Sequence, residues 1–323
     1  MNTKHIWVWI IWTGSISDDC HGPSVKAMWD TELVAVLSRN EGTWKEFMKK
    51  HAWVDWGAYT WIDDFLLDNT IDLVIICSPD TLHYEQARKC LNAWKHVLLE
   101  KPFTTNLDDA LELEKLSKEK SLILSTSYHL RSHIGHKKLY EKIVNWSEIW
   151  IIRHIRVIWA FPQIDDSNWR AKNEFWKWWS LAAVWTHCID FTRWFSKNIS
   201  DWESFSSVIN KNKWKGIHDE TAVISGITSL WISVEVTSSV QFWPYNRVEI
   251  FWDDGIAICD WTMWRYWGWK IFINDKELLF DEVSPFVLQL ENIVNAINKK
   301  EVLNVGTDIC VRSIKDLLLA DDV

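Results

Sequence analysis

The spacing of hydrophobic positions changes character partway along the chain. In the first part, short unbroken apolar runs alternate with segments of helical period. Ile6, Val8, Ile10 and Ile11 read as a buried strand, and residues 32–37, 73–77, 96–99 and 122–125 repeat the pattern. Between them the spacing predicts helices over residues 43–51, 63–67, 81–92 and 107–119. Strands and helices alternating at this interval build a parallel sheet with right-handed crossovers. After Ser132 the period shifts. A helix over 136–144 leads to a half-exposed strand over 149–160, a Trp-rich polar loop over 161–180 and a helix over 181–195. Strands are then expected at 204–210, 221–228, 232–241, 247–251, 256–260 and 270–273, a run that predicts a mostly antiparallel sheet. Helices over 287–298 and 308–320 finish the chain, which stops directly on the last of them, so a further tail is expected. The pattern predicts an α/β protein: an N-terminal Rossmann doubly wound parallel sheet over residues 1–125, then an α/β domain with a large, mostly antiparallel open sheet over 126–323.

Composition narrows the class. Hydrophobic residues at 48% and charged residues at 24% fit a soluble globular protein. A net charge of -9 with no dense Lys/Arg block argues against a nucleic-acid surface. No apolar run has the length of a membrane span, and the start lacks a secretory pattern. Six cysteines (Cys20, Cys77, Cys90, Cys188, Cys259, Cys310) without C-x-x-C spacing read as reduced and structural, in a cytoplasmic protein without a metal site.

Two counts do not fit: tryptophan is 27 and glycine only 10. Average usage would put glycine at about 7%. Many tryptophans occupy turn-like contexts: Trp94, Trp146, Trp243, Trp252, the pair Trp178-Trp179, and Trp261, Trp264, Trp267 and Trp269 around Gly268. Tryptophan does not enter the positive-φ region cheaply. Many of these positions are therefore expected to be glycine in the natural protein. Either a codon reassigned to glycine is translated here as tryptophan, or the residues were substituted deliberately. Trp53, Trp159, Trp169 and Trp194 lie in contexts that suit a real tryptophan.

The first strand runs into a turn at Trp12-Thr13-Gly14, with helix expected from Ser15 and Ile16. A strand, turn and helix at this point is how a dinucleotide-binding domain begins, with the pyrophosphate on the free N–H groups at the helix start. The fingerprint wants glycines for a sharp bend and close backbone approach. Gly14 fills one slot, while Trp9 and Trp12 stand where small residues belong. A plain buried strand and turn is the alternative account of this stretch alone.

The strongest signal is CSPDTLHYEQARKCLNAWKHVLLEKP, Cys77 to Pro102. Ser78-Pro79 closes one strand and Glu100-Lys101-Pro102 closes the next, so both belong to the side where open α/β sheets bind ligands. With its Pro-x-x-x-His, its Ala-Trp-Lys-His-Val turn (Trp94 at the family's glycine) and its Glu-Lys-Pro, this stretch resembles the glucose–fructose oxidoreductase and inositol dehydrogenase family (Gfo/Idh/MocA). The resemblance covers nearly the whole chain and includes Trp169-Arg170 and the Thr-His-x-x-Asp of Thr186 to Asp190.

The resemblance implies roles. Lys101 would lie beside the nicotinamide and the reacting hydroxyl, where a neighbouring positive ring lowers a lysine's pKa and suits it to exchange a proton with an alcohol. A solvated lysine at a strand end is the alternative. A cis bond before Pro102 also belongs to the family pattern. His187 would be the catalytic histidine, polarising the substrate hydroxyl or relaying its proton, with Asp190 one turn later on the same face. The alternative is a packed core histidine. The aspartate common four residues earlier is absent, since that position is Ala183, which implies an altered relay or a different substrate class. Where NAD enzymes carry an acid, this chain has Ser38-Arg39. Arg39 suits a 2′-phosphate and stacking on adenine, so NADP is preferred over NAD. Trp169 and Arg170 are assigned to the cofactor side with Ser78, Pro79, Glu100 and His83, the last equally explained as a helix-start histidine. Tyr128 and Arg131 match a family Tyr-x-x-Arg segment that lines the substrate site or ties the domains together. His129, His133 and His136 invite a metal reading, but they match a junction helix and no metal is expected.

The function implied is hydride transfer between the nicotinamide of NADP or NAD and a sugar, polyol or related hydroxy or keto compound. A homo-dimer or homo-tetramer is expected, with no nucleic-acid or membrane partner. Two alternatives are an NAD-dependent glycosidase of the same family, and a non-catalytic ligand-binding or regulatory member.

Overall fold

The structure is a computed structural model that describes residues 4–38, 40–53, 57–68, 70–145, 152–162, 170, 178–197, 201–211, 218–266 and 268–322. The chain divides into two compact units. The first holds Met1–Ser127 and Phe286–Val311, the second Tyr128–Pro285 and Arg312–Val323.

The first unit is built on β1 (Ile6–Ile11), β2 (Thr31–Leu37), β3 (Gly57–Tyr59), β4 (Leu73–Ile76), β5 (His96–Leu99) and β6 (Leu124–Thr126). Their spatial order is β3-β2-β1-β4-β5-β6, all pairs parallel. Ile10 of β1 is in register with Val36 on one side and Ile75 on the other. The chain winds away from β1 in both directions, so the crevice beyond the carboxyl ends of β1 and β4 is the ligand-binding place of such a sheet. The central strands β1 and β4 are wholly apolar because helices cover both faces. Ile6, Val8, Ile10, Leu73 and Ile75 lie in one core with Val25, Phe47, Met48, Leu290, Ile293 and Val294.

Around the sheet run α1 (Gly22–Ala27), α2 (Glu41–His51), α3 (Ile62–Leu66), α4 (His83–Asn92) and α5 (Leu107–Lys120). Side-chain caps mark the starts of α2 and α5. The Asn40 side chain accepts from the N–H groups of Gly42 and Thr43 at the head of α2, and Asn106 accepts from Asp109 at the head of α5.

The second unit opens with α6 (Ile134–Tyr140), β7 (Ile152–Ala160) and α7 (Thr186–Phe195), which continues a wider helical turn over Leu181–Trp185. It goes on through β8 (Trp202–Asn210), β9 (Thr221–Thr228), β10 (Ser233–Ser239), β11 (Tyr245–Trp252), β12 (Gly255–Asp260), β13 (Lys270–Ile273) and β14 (Lys276–Glu277). These form one eight-stranded sheet in the order β14-β13-β12-β11-β7-β10-β9-β8. Every pair is antiparallel except β7 with β10, because α7 and the β8–β9 hairpin intervene before the chain returns. Two helices close the chain, α8 (Pro285–Ile297) and α9 (Thr307–Asp321), and the boundary between the units falls inside α9.

Candidate functional site

The first turn forms where the sequence puts it. β1 ends at Ile11, the chain bends through Trp12-Thr13-Gly14, and helix begins at Ser15. The Ser17 hydroxyl donates to the carbonyls of Trp12 (2.8 Å) and Gly14 (2.7 Å), and the Asp18 N–H donates to the Gly14 carbonyl (3.0 Å). Ser15 is exposed and Ile16 half-buried at the helix start. Thr13, Ser38 and Thr43 form a small hydroxyl cluster, with Thr13 Oγ1 3.2 Å from Ser38 Oγ and 3.4 Å from Thr43 Oγ1. This puts the end of β2 against the turn. Arg39 and Trp169 lie outside the described residues, and Arg170 is half-buried.

A dinucleotide would need the backbone of this turn open. Trp12 instead holds φ at 78°. Its indole lies against Gly14: a Cβ built on Gly14 would sit 3.3 Å from Trp12 Cδ1. Trp9 is buried in β1 and stacks on Tyr59 with ring centroids 4.9 Å apart. The strand, the helix start and the serine–threonine cluster fit a pyrophosphate. The ring at position 12 does not.

The ends of β4 and β5 are tied together beside this turn. Pro79 is buried, and the Ser78 hydroxyl donates to Gln86 Oε1 (2.6 Å). His83, 1% exposed, has Nε2 at 2.9 Å from the Ser78 carbonyl and Nδ1 at 2.8 Å from the Pro102 carbonyl. His83 is therefore a strut between two strand ends as well as the first residue of α4. The Lys101-Pro102 bond is cis. Glu100 is buried with Oε1 2.8 Å from His21 Nε2, and its Oε2 accepts the Lys101 backbone N–H (3.2 Å). Burial alone would push the Glu100 carboxyl up. The hydrogen bond and charge of His21, with Lys101 and Ser127, carry it down to about 2. Glu100 is thus an anchored carboxylate, and the half-buried Lys101 follows directly from it.

His21 was not among the sequence candidates. The signal that could have found it is a histidine six residues after the helix start, on a face that turns inward to Ser17 and Ser24. All three are buried.

In the second unit the sequence-derived residues gather on α7 and the turn over His129–Ser132. The Tyr128 hydroxyl lies 2.8 Å from Thr186 Oγ1. Arg131 makes a forked, buried pair with Asp190, Nε to Oδ2 at 2.9 Å and Nη2 to Oδ1 at 2.8 Å. His187 is 4% exposed, with its ring edge-on to His129 at 5.0 Å and beside Trp159 at 5.5 Å. Asp190, which the sequence placed on one face with His187, is taken up by Arg131. Ala183 leaves the turn before His187 without a carboxylate, and its N–H donates to the Trp179 carbonyl.

The start of this helix hangs on Asp219, whose carboxylate accepts the N–H groups of Trp179 (2.5 Å) and Leu181 (2.6 Å). Burial pushes that carboxyl up to about 7 against those two donors. His136 spends Nδ1 on the Leu130 carbonyl (3.2 Å) and Nε2 on Thr262 (2.8 Å), and burial pushes it well below the usual histidine range. Among the described residues no group of three or more His, Cys, Asp or Glu could hold a metal ion. No described helix is long and apolar enough to cross a membrane.

Residues 6–128 match the family model described as an oxidoreductase family with an NAD-binding Rossmann fold. An uncharacterized oxidoreductase of Schizosaccharomyces pombe is 36% identical over 122 residues, 38% of this chain and 33% of that protein. The dTDP-3,4-didehydro-2,6-dideoxy-alpha-D-glucose 3-reductase of Saccharopolyspora spinosa is 30% identical over 152 residues, 47% of this chain and 45% of that protein. The matched stretch thus spans less than half the length of either relative. At the level of fold the likeness runs through the whole chain. A variant of a 3-ketoreductase from Actinomadura kijaniata, in complex with TDP-benzene and NADP, superposes with a TM-score of 0.83 at 18% identity, covering 98% of this chain and 96% of that one. Over residues 6–128 the chain is thus similar in sequence to the Gfo/Idh/MocA oxidoreductases with their NAD-binding Rossmann fold.

Proposed function

We propose that the protein is an NAD(P)-dependent oxidoreductase acting on a carbon that bears a hydroxyl or carbonyl in a sugar, polyol or related small molecule. The observation that carries this reading is the Glu100-Lys101-Pro102 segment at the carboxyl end of β5, with Glu100 anchored to His21 and the Lys101 N–H held on the Glu100 carboxylate. Such an anchor fixes the backbone from which the lysine side chain departs, and a positioned amine is what proton exchange with an alcohol requires. Lys101 takes or returns the hydroxyl proton. His187 assists, a role that rests on the sequence resemblance, with Tyr128 and Arg131 shaping the same part of the second unit.

The cofactor supplies the hydride when bound. Arg39, which follows Ser38 after β2 in the sequence, suits a 2′-phosphate and stacking on adenine, and this favours NADP over NAD. The expected substrate is a free small molecule, and the chain is expected to pair with copies of itself. A tryptophan truly present at position 12 would favour a non-catalytic ligand-binding protein, because its ring lies against Gly14.

The test is a screen of sugars and polyols for NADP reduction, using the chain with Trp9→Gly and Trp12→Gly, beside the same chain carrying Lys101→Ala. The expected result is turnover that Lys101→Ala lowers roughly 10²–10⁴-fold, the span of a lost general acid or base, with NADPH affinity little changed. Turnover that Lys101→Ala leaves intact would remove the lysine from the chemistry.

A further inference from the structure

Among the described residues, eight that are not glycine have a left-handed backbone, and four of them are tryptophan: Trp12 (φ 78°), Trp94 (61°), Trp231 (60°) and Trp261 (54°). Gly268 is the one described glycine there. That distribution is inverted. A Cβ in this region crowds the following carbonyl, so glycine enters it freely and a bulky ring is an outlier. The other four, Ser121, Lys197, Asn274 and Lys299, carry smaller or unbranched side chains.

Each tryptophan also sits in a turn that glycine ordinarily makes. After α4 the Lys95 N–H donates to the Cys90 carbonyl and the Trp94 N–H to the Leu91 carbonyl, the paired bonds of a helix stop whose left-handed residue is usually glycine. Trp231 turns the β9–β10 hairpin, donating to the Thr228 carbonyl (2.8 Å). Trp261 leaves β12, donating to the Asn246 carbonyl (3.2 Å), and Trp12 leaves β1, donating to the Leu37 carbonyl (2.8 Å). Two of the rings serve no core: Trp94 is 65% and Trp231 74% exposed. Buried tryptophans such as Trp159 and Trp185 pack in regular elements and share none of these features.

We propose that positions 12, 94, 231 and 261 are glycine in the protein its organism makes, through a codon read there as glycine. A glycine at position 12 opens the turn between β1 and the helix at Ser15 as a cradle for a dinucleotide pyrophosphate. The cradle rests on the functional reading above; the identity of the four residues does not.

Peptide sequencing by mass spectrometry, on the protein isolated from its natural source, reads the four positions directly. Glycine at all four is expected, and tryptophan at any of them overturns the proposal there. The second arm compares the recombinant chain as written with one carrying Trp12→Gly, Trp94→Gly, Trp231→Gly and Trp261→Gly. Relief at four left-handed sites should raise Tm by about 5 °C or more for a chain of this size. An unchanged or lower Tm contradicts the strain on which the proposal stands. Titrating both chains with NADPH separates the two claims. Glycine at the four positions with a raised Tm but no NADPH binding keeps the residue identities and overturns the cofactor reading.

Discussion

At the scale of single residues, the carboxyl end of β5 depends on what holds Glu100 and Lys101. Glu100 is a buried carboxylate whose pKa falls to about 2, so its sign in pH-dependent stability is fixed. A carboxyl with a folded pKa below its unfolded value contributes stability that is complete above the unfolded value of 4.5 and is lost as the pH falls toward 2. Urea unfolding at pH 7 and at pH 3.5 should show this loss in the parent chain and a smaller one in Glu100→Gln. An equal loss in both would mean that His21 does not hold Glu100 charged. The anchor is also where sequence reading stopped short. Lys101 and Glu100 stand in a three-residue signature that is visible in one line of sequence. His21 is 79 residues away from its partner, and its place on the inward helix face marks it as buried without showing what it holds. His83 was legible as a residue of interest, but its work of joining the Ser78 and Pro102 carbonyls depends on two strand ends meeting in space.

At the scale of elements, periodicity served well wherever an element was long or fully apolar. β5, β9 and β13 run over the residues that the pattern predicts, and the helix over 181–195 is present with its first turn widened. β3 was missed because Gly57–Tyr59 has three residues, too few to display an alternation. The parallel pairing of β7 with β10 was also invisible, since pairing direction depends on how the chain returns and not on either strand's own pattern. The widened turn before α7 is anchored from outside itself. Asp219, at a distance in sequence, receives the N–H of its first residue, Leu181, and that of Trp179 just before it. Asp219→Ala should cost about 1–3 kcal/mol, the range for a buried donor left unmatched, measurable as a lower urea midpoint. The folded pKa of Asp219 is raised to about 7 from 3.8, so its contribution is full below 3.8 and is lost as pH rises through 7. The penalty of the substitution should therefore be larger at pH 5 than at pH 8. The opposite trend would mean that the carboxylate, charged, is the better cap.

At the scale of the whole molecule, two sheets of different construction were predicted by one change of hydrophobic period, and both are present. The return of Phe286–Val311 to the first unit could not be read from the sequence. Val294 and Ile293 look like any amphipathic helix until they are seen in one core with Ile10 and Ile75. Family resemblance, fold and the turn after β1 all point to a dinucleotide, while the ring at position 12 lies against the residue a phosphate would approach. The conflict reduces to one side chain in one turn. The measurement that meets it most directly is an NADPH fluorescence titration of two folded chains, one as written and one with Trp12→Gly. Saturable binding is expected only in the glycine chain. No binding by either chain, with both folded, would contradict it.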